Sequence, residues 1–99
     1  MNYVIIGYEE NKNGIMIGER INRTPFDDFV IACKVMIAIS GVWSEVKVFN
    51  DENESYEAIA RWKDNYVYYD NKIFHEDEFI AYLEMITVQE KDHVKINPC

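Results

Sequence analysis

Residues 24–41, TPFDDFVIACKVMIAISG, decide the fold. The stretch reads as one helix with both ends marked. Thr24 is placed to cap the start, since its hydroxyl can accept from a first-turn amide. Pro25 then falls at the first helical position, where a missing N–H costs nothing. Asp27 and Asp28 put negative charge where the helix dipole favours it. Gly41 offers the left-handed residue that commonly ends a helix. Between these marks, positions 30–39 are apolar except for Lys34. A surface helix shows one apolar stripe, whereas this one is apolar most of the way round. A central core helix is therefore expected, meeting the sheet on one side and a second helix or another subunit elsewhere.

The flanking segments supply the sheet. Residues 3–8 (YVIIGY) are β-branched and aromatic, as in a buried strand. Residues 9–14 (EENKNG) form a turn cluster closing in Asn-Gly, and residues 15–21 (IMIGERI) return as a second strand. Gly18 marks a bulge or a close backbone approach. After the helix, residues 44–50 alternate, with Val46 and Val48 facing one way and Glu45, Lys47 and Phe49 the other.

An acidic loop follows at residues 50–55 (NDENES). Residues 56–63 (YEAIARWK) fit either a short, weakly amphipathic helix or a strand with Tyr56, Ala58, Ala60 and Trp62 on one face, and the turn signal that follows favours the strand. Asp64-Asn65 and Asp70-Asn71 are two-residue turn signals around the strand at 66–69 (YVYY), and a short strand follows at 72–74.

A second helix is expected from about residue 76, with His75 as cap. Phe74 and Phe79 form a hydrophobic staple across its start, and Glu78 sits where it can reach back to the cap amide. Its buried stripe is Phe79, Ile80, Leu83 and Ile86, and its end is placed near Thr87. The result is an α+β domain of order ββ-α-βββ(β)-α, an antiparallel sheet packed on two helices. Residues 1–99 form a single acidic domain, with 88–99 a possible edge strand or loose tail.

Composition narrows the function. A hydrophobic content of 48% supports a folded core rather than disorder. No apolar run is long enough to span a bilayer. Positions 1–3 carry no basic n-region, so a soluble cytoplasmic protein is expected. Cys33 falls within the apolar helix and Cys99 at the other end of the sequence, which suits a core thiol better than a disulfide framework. The net charge of −8 argues against direct nucleic-acid or anionic-membrane binding. Nearly all of the excess lies between positions 51 and 84, where ten acids face only Arg61, Lys63 and Lys72.

No pattern of catalytic or metal-binding residues stands out. His75 and His93 lack ligand partners at helix-face spacing, and no cysteine pair has zinc spacing. His75-Glu76-Asp77-Glu78 is accounted for as a helix cap and first turn. Residues 51–54 lack the glycine and closing glutamate of a calcium loop. Neither a cofactor nor a metal is expected.

The α-βββ-α order over residues 24–87 resembles that of double-stranded-RNA-binding domains. In that family, lysines opening the second helix meet phosphates. Here the matching residues are His75, Glu76, Asp77 and Glu78, which repel them.

The inversion suggests the opposite role. Acids on hairpin tips can imitate a row of phosphates, and a basic groove built for DNA accepts a similar array. Tyrosine and tryptophan among such acids make good interface anchors. In size, charge and Asn/Lys/Ile-rich composition the chain resembles small phage proteins of the anti-CRISPR and anti-restriction type.

The expected function is therefore a non-enzymatic inhibitor, of DNA-mimic style, acting on a basic nucleic-acid-handling protein of the host. The expected contact set is Asp51, Glu52, Glu54, Glu57, Asp64, Asp70, Glu76, Asp77 and Glu78, anchored by Trp62, Tyr66 and Tyr68. The alternative is a homo-oligomeric accessory protein, with a homodimer through an apolar helix or strand face.

Overall fold

The computed structural model describes residues 2–61 and 65–96, with side-chain surroundings for 2–61 and 65–87. The strands are β1 (Tyr3–Glu10), β2 (Met16–Arg20), β3 (Glu45–Asn50), β4 (Ser55–Arg61), β5 (Tyr66–Tyr69) and β6 (Lys72–His75). The helices are α1 (Phe29–Ile39) and α2 (Glu76–Ile96). One six-stranded sheet runs β2-β1-β3-β4-β5-β6, with every neighbouring pair antiparallel. The chain is thus α+β in the expected order. The crossover through α1 carries it from edge strand β2 back over the sheet, so that β3 lands beside β1.

Both helices lie on one face of the sheet. α1 packs over β1, β3 and β4, and α2 over β5, β6 and α1. Ile5, Val46, Val48, Ala58, Ala60 and Val67 rise from the sheet to meet Ala32, Cys33 and Met36 of α1 and Phe79 and Leu83 of α2. Burying each large apolar side chain here contributes about 1.5–3 kcal/mol. Alanine at positions 58 and 60 leaves room for the helix above.

The central helix is shorter than its sequence marks suggest. Asp28, not Thr24, is the N-cap: its Oδ1 accepts from Val30 N at 2.8 Å and Ile31 N at 3.3 Å. The reason lies upstream. Phe26 exchanges two backbone hydrogen bonds with Tyr3, each 2.9 Å, and is held extended beside β1. A residue so tied cannot enter a helix, which moves the start past it to Asp28. At the other end Ser40 is the C-cap and stays right-handed, and Gly41 does not take the left-handed conformation. The helix is also less enclosed than expected, since Ile31 is 48% exposed and Lys34 reaches Glu84 of α2 at 3.3 Å.

α2 opens with the expected staple, the rings of Phe74 and Phe79 lying 5.4 Å apart. His75 Nδ1 sits 3.4 Å from the amide of Asp77. The helix does not stop near Thr87. It continues to Ile96, where an edge strand or loose tail was the expectation. Positions 88–96 contain no glycine or proline and include Gln89, Glu90, Lys91 and Lys95, all good helix formers.

The turns follow their chemistry. Asp70 and Asn71 have φ of 52° and 59°, the two left-handed residues of a type I′ turn. Asn65 has φ of 57°, while Asp64 lies outside the described residues. In the first hairpin only Gly14 is left-handed, and Asn11 Oδ1 takes the amides of Asn13 and Ile15. Gly18 is a close-approach glycine, because a methyl there would press on the ring of Tyr8.

Strand β4 departs from simple alternation. Val48 pairs with Ala58 and Phe49 pairs with Tyr56, which leaves Glu57 as the extra residue of a β-bulge. Tyr56 therefore shares the uncovered face with Phe49, their rings 5.2 Å apart, and not the helix face with Ala58 and Ala60 as alternation predicts. Glu57 is turned toward the helix side.

Candidate binding site

The register sorts the acidic residues into two groups at opposite ends of the sheet. Tyr3 pairs with Asn50, and Ala58 pairs with Tyr69. The 51–54 turn, Glu57 and Asp70 therefore share one end. The bridge between Tyr3 and Phe26 brings Asp27 and Asp28 to the same end. Glu76, Asp77 and Glu78 open α2 at the other end, where Ser40 Oγ lies 3.4 Å from Glu76 Oε1. Along the seven residues of β4, at about 3.3 Å per residue, the groups stand roughly 20 Å apart. Trp62 and Asp64 lie outside the described residues.

Part of the first group lines a cleft of about 810 Å³ between the sheet end, the start of α1 and the middle of α2. The rings of Tyr3, Phe29 and Tyr69 form its wall. Tyr3 and Phe29 have centroids 5.2 Å apart, and Phe29 and Tyr69 5.5 Å. Leu83 and Ile86 supply apolar lining, and Asp27, Asp28, Asn53 and Glu57 supply polar groups. None of the lining residues among the described residues is basic.

Asn50, 2% exposed, organises this end. Its Oδ1 accepts from the amides of Glu52 at 3.0 Å and Asn53 at 3.3 Å, and its Nδ2 donates to Glu57 Oε1 at 3.2 Å. Ser55 Oγ donates to the same carboxylate oxygen at 3.4 Å. Glu57 is thereby aimed, not free to swing away.

The local potential is negative. Burial raises the pKa of Tyr3, and the charges of Glu57, Glu52 and Asp28 push it the same way. Burial likewise raises Tyr69, reinforced by Asp70 and Glu57. Cys33, a buried free thiol, is pushed up by burial and then by Asp28 and Glu57. It is held protonated, the opposite of a nucleophile. Of the cations, Lys47 and Arg61 both pair with Glu45 and Lys34 pairs with Glu84, while Lys72 stands at this end, two residues from Asp70. Asp27, Asp28, Asp51, Glu54, Glu57 and Asp70 take no ion pair among the described residues.

The expected aromatic anchors lie elsewhere. Tyr66 and Tyr68 point to the uncovered sheet face, away from the cleft. Tyr66 is 45% exposed and meets the edge of His75, while Tyr68 is half-buried beneath the Arg61 guanidinium at 4.9 Å. On the same face Lys47 lies over the rings of both Tyr8 and Tyr56. The rings that do stand among acids are Tyr3, Phe29 and Tyr69. Sequence reading misses them because Tyr3 belongs to a buried-strand pattern and Asp28 reads as helix capping.

Among the described residues no three His, Cys, Asp or Glu side chains converge as metal ligands. No helix of the described residues is long and apolar enough to cross a membrane. Compared with known proteins, the chain matches no protein-family model, no curated protein and no solved structure.

Proposed function

We propose that the protein is a non-enzymatic binding protein that uses the acidic end of its sheet to engage and inhibit a basic, nucleic-acid-handling protein. One observation carries this reading. Six carboxylates from three separate segments, Asp27, Asp28, Asp51, Glu54, Glu57 and Asp70, gather at one end without ion pairs among the described residues. Gathering like charge costs stability through mutual repulsion, and a basic partner would relieve it. Glu52 stands in the same turn. Glu76, Asp77 and Glu78 form a second patch roughly 20 Å away. A partner groove of DNA-binding width and length could touch both patches, as a DNA-mimic contact requires.

The test is capture of the partner from a host extract at low and at high salt, followed by reversal of each patch. Asp51→Lys with Glu54→Lys and Asp70→Lys is expected to abolish capture. Glu76→Lys with Asp77→Lys and Glu78→Lys should weaken it. Capture that survives high salt, or a partner without a basic surface, would refute the proposal.

A second reading has its own support. β2 is exposed along its whole length, and Ile15, Met16 and Ile17 are 58%, 42% and 56% exposed at a free sheet edge. Such an edge is a template for pairing with another chain. A tight homodimer in sedimentation equilibrium, lost on Ile17→Lys, would favour a homo-oligomeric accessory role.

A further inference from the structure

We propose that the cleft between Tyr3, Phe29 and Tyr69 is the receptor for an arginine side chain of the partner, its guanidinium stacking on the rings and hydrogen-bonding to Asp28 and Glu57. This rests on the reading above, that the acidic end meets a basic protein, and adds the group that would be inserted.

The cavity carries the inference. Its three rings adjoin in series, at 5.2 Å and 5.5 Å with their planes tilted by 52° and 36°, so the cavity is lined by an aromatic cluster in which Phe29 and Tyr69 are more open than buried Tyr3. A cation over such a surface is attracted by the ring quadrupoles, more strongly where water is excluded. Apolar Leu83 and Ile86 suit the methylene stem of a long side chain. The volume of about 810 Å³ exceeds one side chain, which leaves room for the residues flanking it.

The carboxylates fit a fork-shaped donor. In Asp28 both capping hydrogen bonds fall on Oδ1. In Glu57 both hydrogen bonds fall on Oε1. Each carboxylate is thus fixed through one oxygen, and the other carries no hydrogen bond among the described residues. Guanidinium offers five N–H donors in a plane, so it can reach two such oxygens while its face lies on a ring. Ammonium is more strongly hydrated and has no flat face, which makes lysine the poorer fit. Burial is the main cause of the raised pKa values of Tyr3 and Tyr69, and the carboxylate charges that add to it are of the sign that favours a cation.

The probe is Nα-acetyl-arginine methylamide, added to the isotope-labelled full chain at about 150 mM salt, where loose surface attraction is screened. Amide chemical shifts are followed, with the citrulline and lysine analogues as controls. Citrulline has the same shape without the charge. Saturable shifts are expected at Tyr3, Phe29, Val30, Glu57 and Tyr69 for arginine, weaker ones for lysine and none for citrulline. Glu57→Gln, which keeps shape and removes charge, should weaken arginine binding about tenfold. Tyr69→Leu should weaken it as well, provided its spectrum remains that of the folded chain. Glu57→Gln supplies the result if that variant unfolds.

A silent cleft, an equal response to citrulline, or shifts confined to residues 51–54 would overturn the inference. The two proposals fail separately. If partner capture is salt-sensitive and lost on rim reversal while arginine leaves the cleft silent, only the arginine receptor is wrong. If arginine saturates the cleft while rim reversal leaves capture intact, the acidic-end reading is wrong.

Discussion

Asn50 and Glu57 are joined across the β3–β4 hairpin by a 3.2 Å hydrogen bond from Nδ2 to Oε1, and that contact spans the bulge that turns Glu57 toward the cleft. The same amide caps the acidic turn through Oδ1. Removing it at Asn50→Ala strands two turn amides and frees Glu57, and should cost about 2–3 kcal/mol in chemical denaturation. Asn50→Asp keeps the shape and the acceptor but sets a second carboxylate beside Glu57 in a buried site. Burial and the neighbouring charge both raise the pKa of such a group. The variant should therefore be less stable than the parent at neutral pH, and the deficit should shrink as pH falls toward about 4. A deficit that does not change with pH would mean that the turn, not the charge, dominates.

That bulge also marks where sequence reading stopped. The fold was largely legible, because Phe74 and Phe79, Val46 and Val48, and Asp70-Asn71 each act through neighbours a few residues away. The expectation failed where a partner distant in sequence decided the outcome. Tyr3 claims Phe26 and postpones α1 to Phe29, although Thr24-Pro25 is a sound local start. The extra residue in β4 reverses Tyr56 and Glu57 relative to Ala58, and no alternation pattern encodes it. At the acidic site, Glu57 and Asp70 were visible as charge. Their union with Asp28 and Tyr3, and their separation from Glu76–Glu78, follow from strand register and the Tyr3–Phe26 bridge.

Glu54 offers a case where stability and recognition separate. Its φ of 52° is left-handed, a conformation that costs a residue with a side chain about 1–2 kcal/mol. Glycine adopts it freely but loses more entropy on folding. Glu54→Gly should thus stabilise the fold by about 0.5–1 kcal/mol, raising the thermal midpoint, while removing one rim carboxylate and weakening partner capture. A variant that is both more stable and a better binder would contradict a recognition role for this turn.

Gly7 tests the packing of the covered face. A methyl built there would overlap the indole of Trp43, which lies over the strand. The obstacle is the body of a ring and not the tip of a flexible chain, so it can yield only by moving as a whole. Gly7→Ala should cost about 1–3 kcal/mol and change the environment of Trp43, read as a shift in tryptophan fluorescence of the folded protein. Gly41, with open space around its Cα, should accept alanine with little loss.

Tyr8 contributes to the loss of stability at alkaline pH. Burial raises its pKa first, and its hydrogen bond to Tyr56, 3.1 Å between hydroxyls, adds to the effect, pushing it to about 12. In the unfolded chain the value returns to 10.0. Between these values the folded state holds a proton that the unfolded state has lost, so stability falls as pH rises. The contribution is present in full below the unfolded pKa and is lost as pH climbs through the folded one. Cys33, raised by burial from 9.0, and Tyr3 and Tyr69, also raised, steepen the same decline. Tyrosinate absorbance at 295 nm should show a late-titrating step that disappears in Tyr8→Phe. That variant should lose stability less steeply than the parent between about pH 10 and 12. If the two decline in parallel, the Tyr8 hydroxyl is not among the groups that couple folding to alkaline pH.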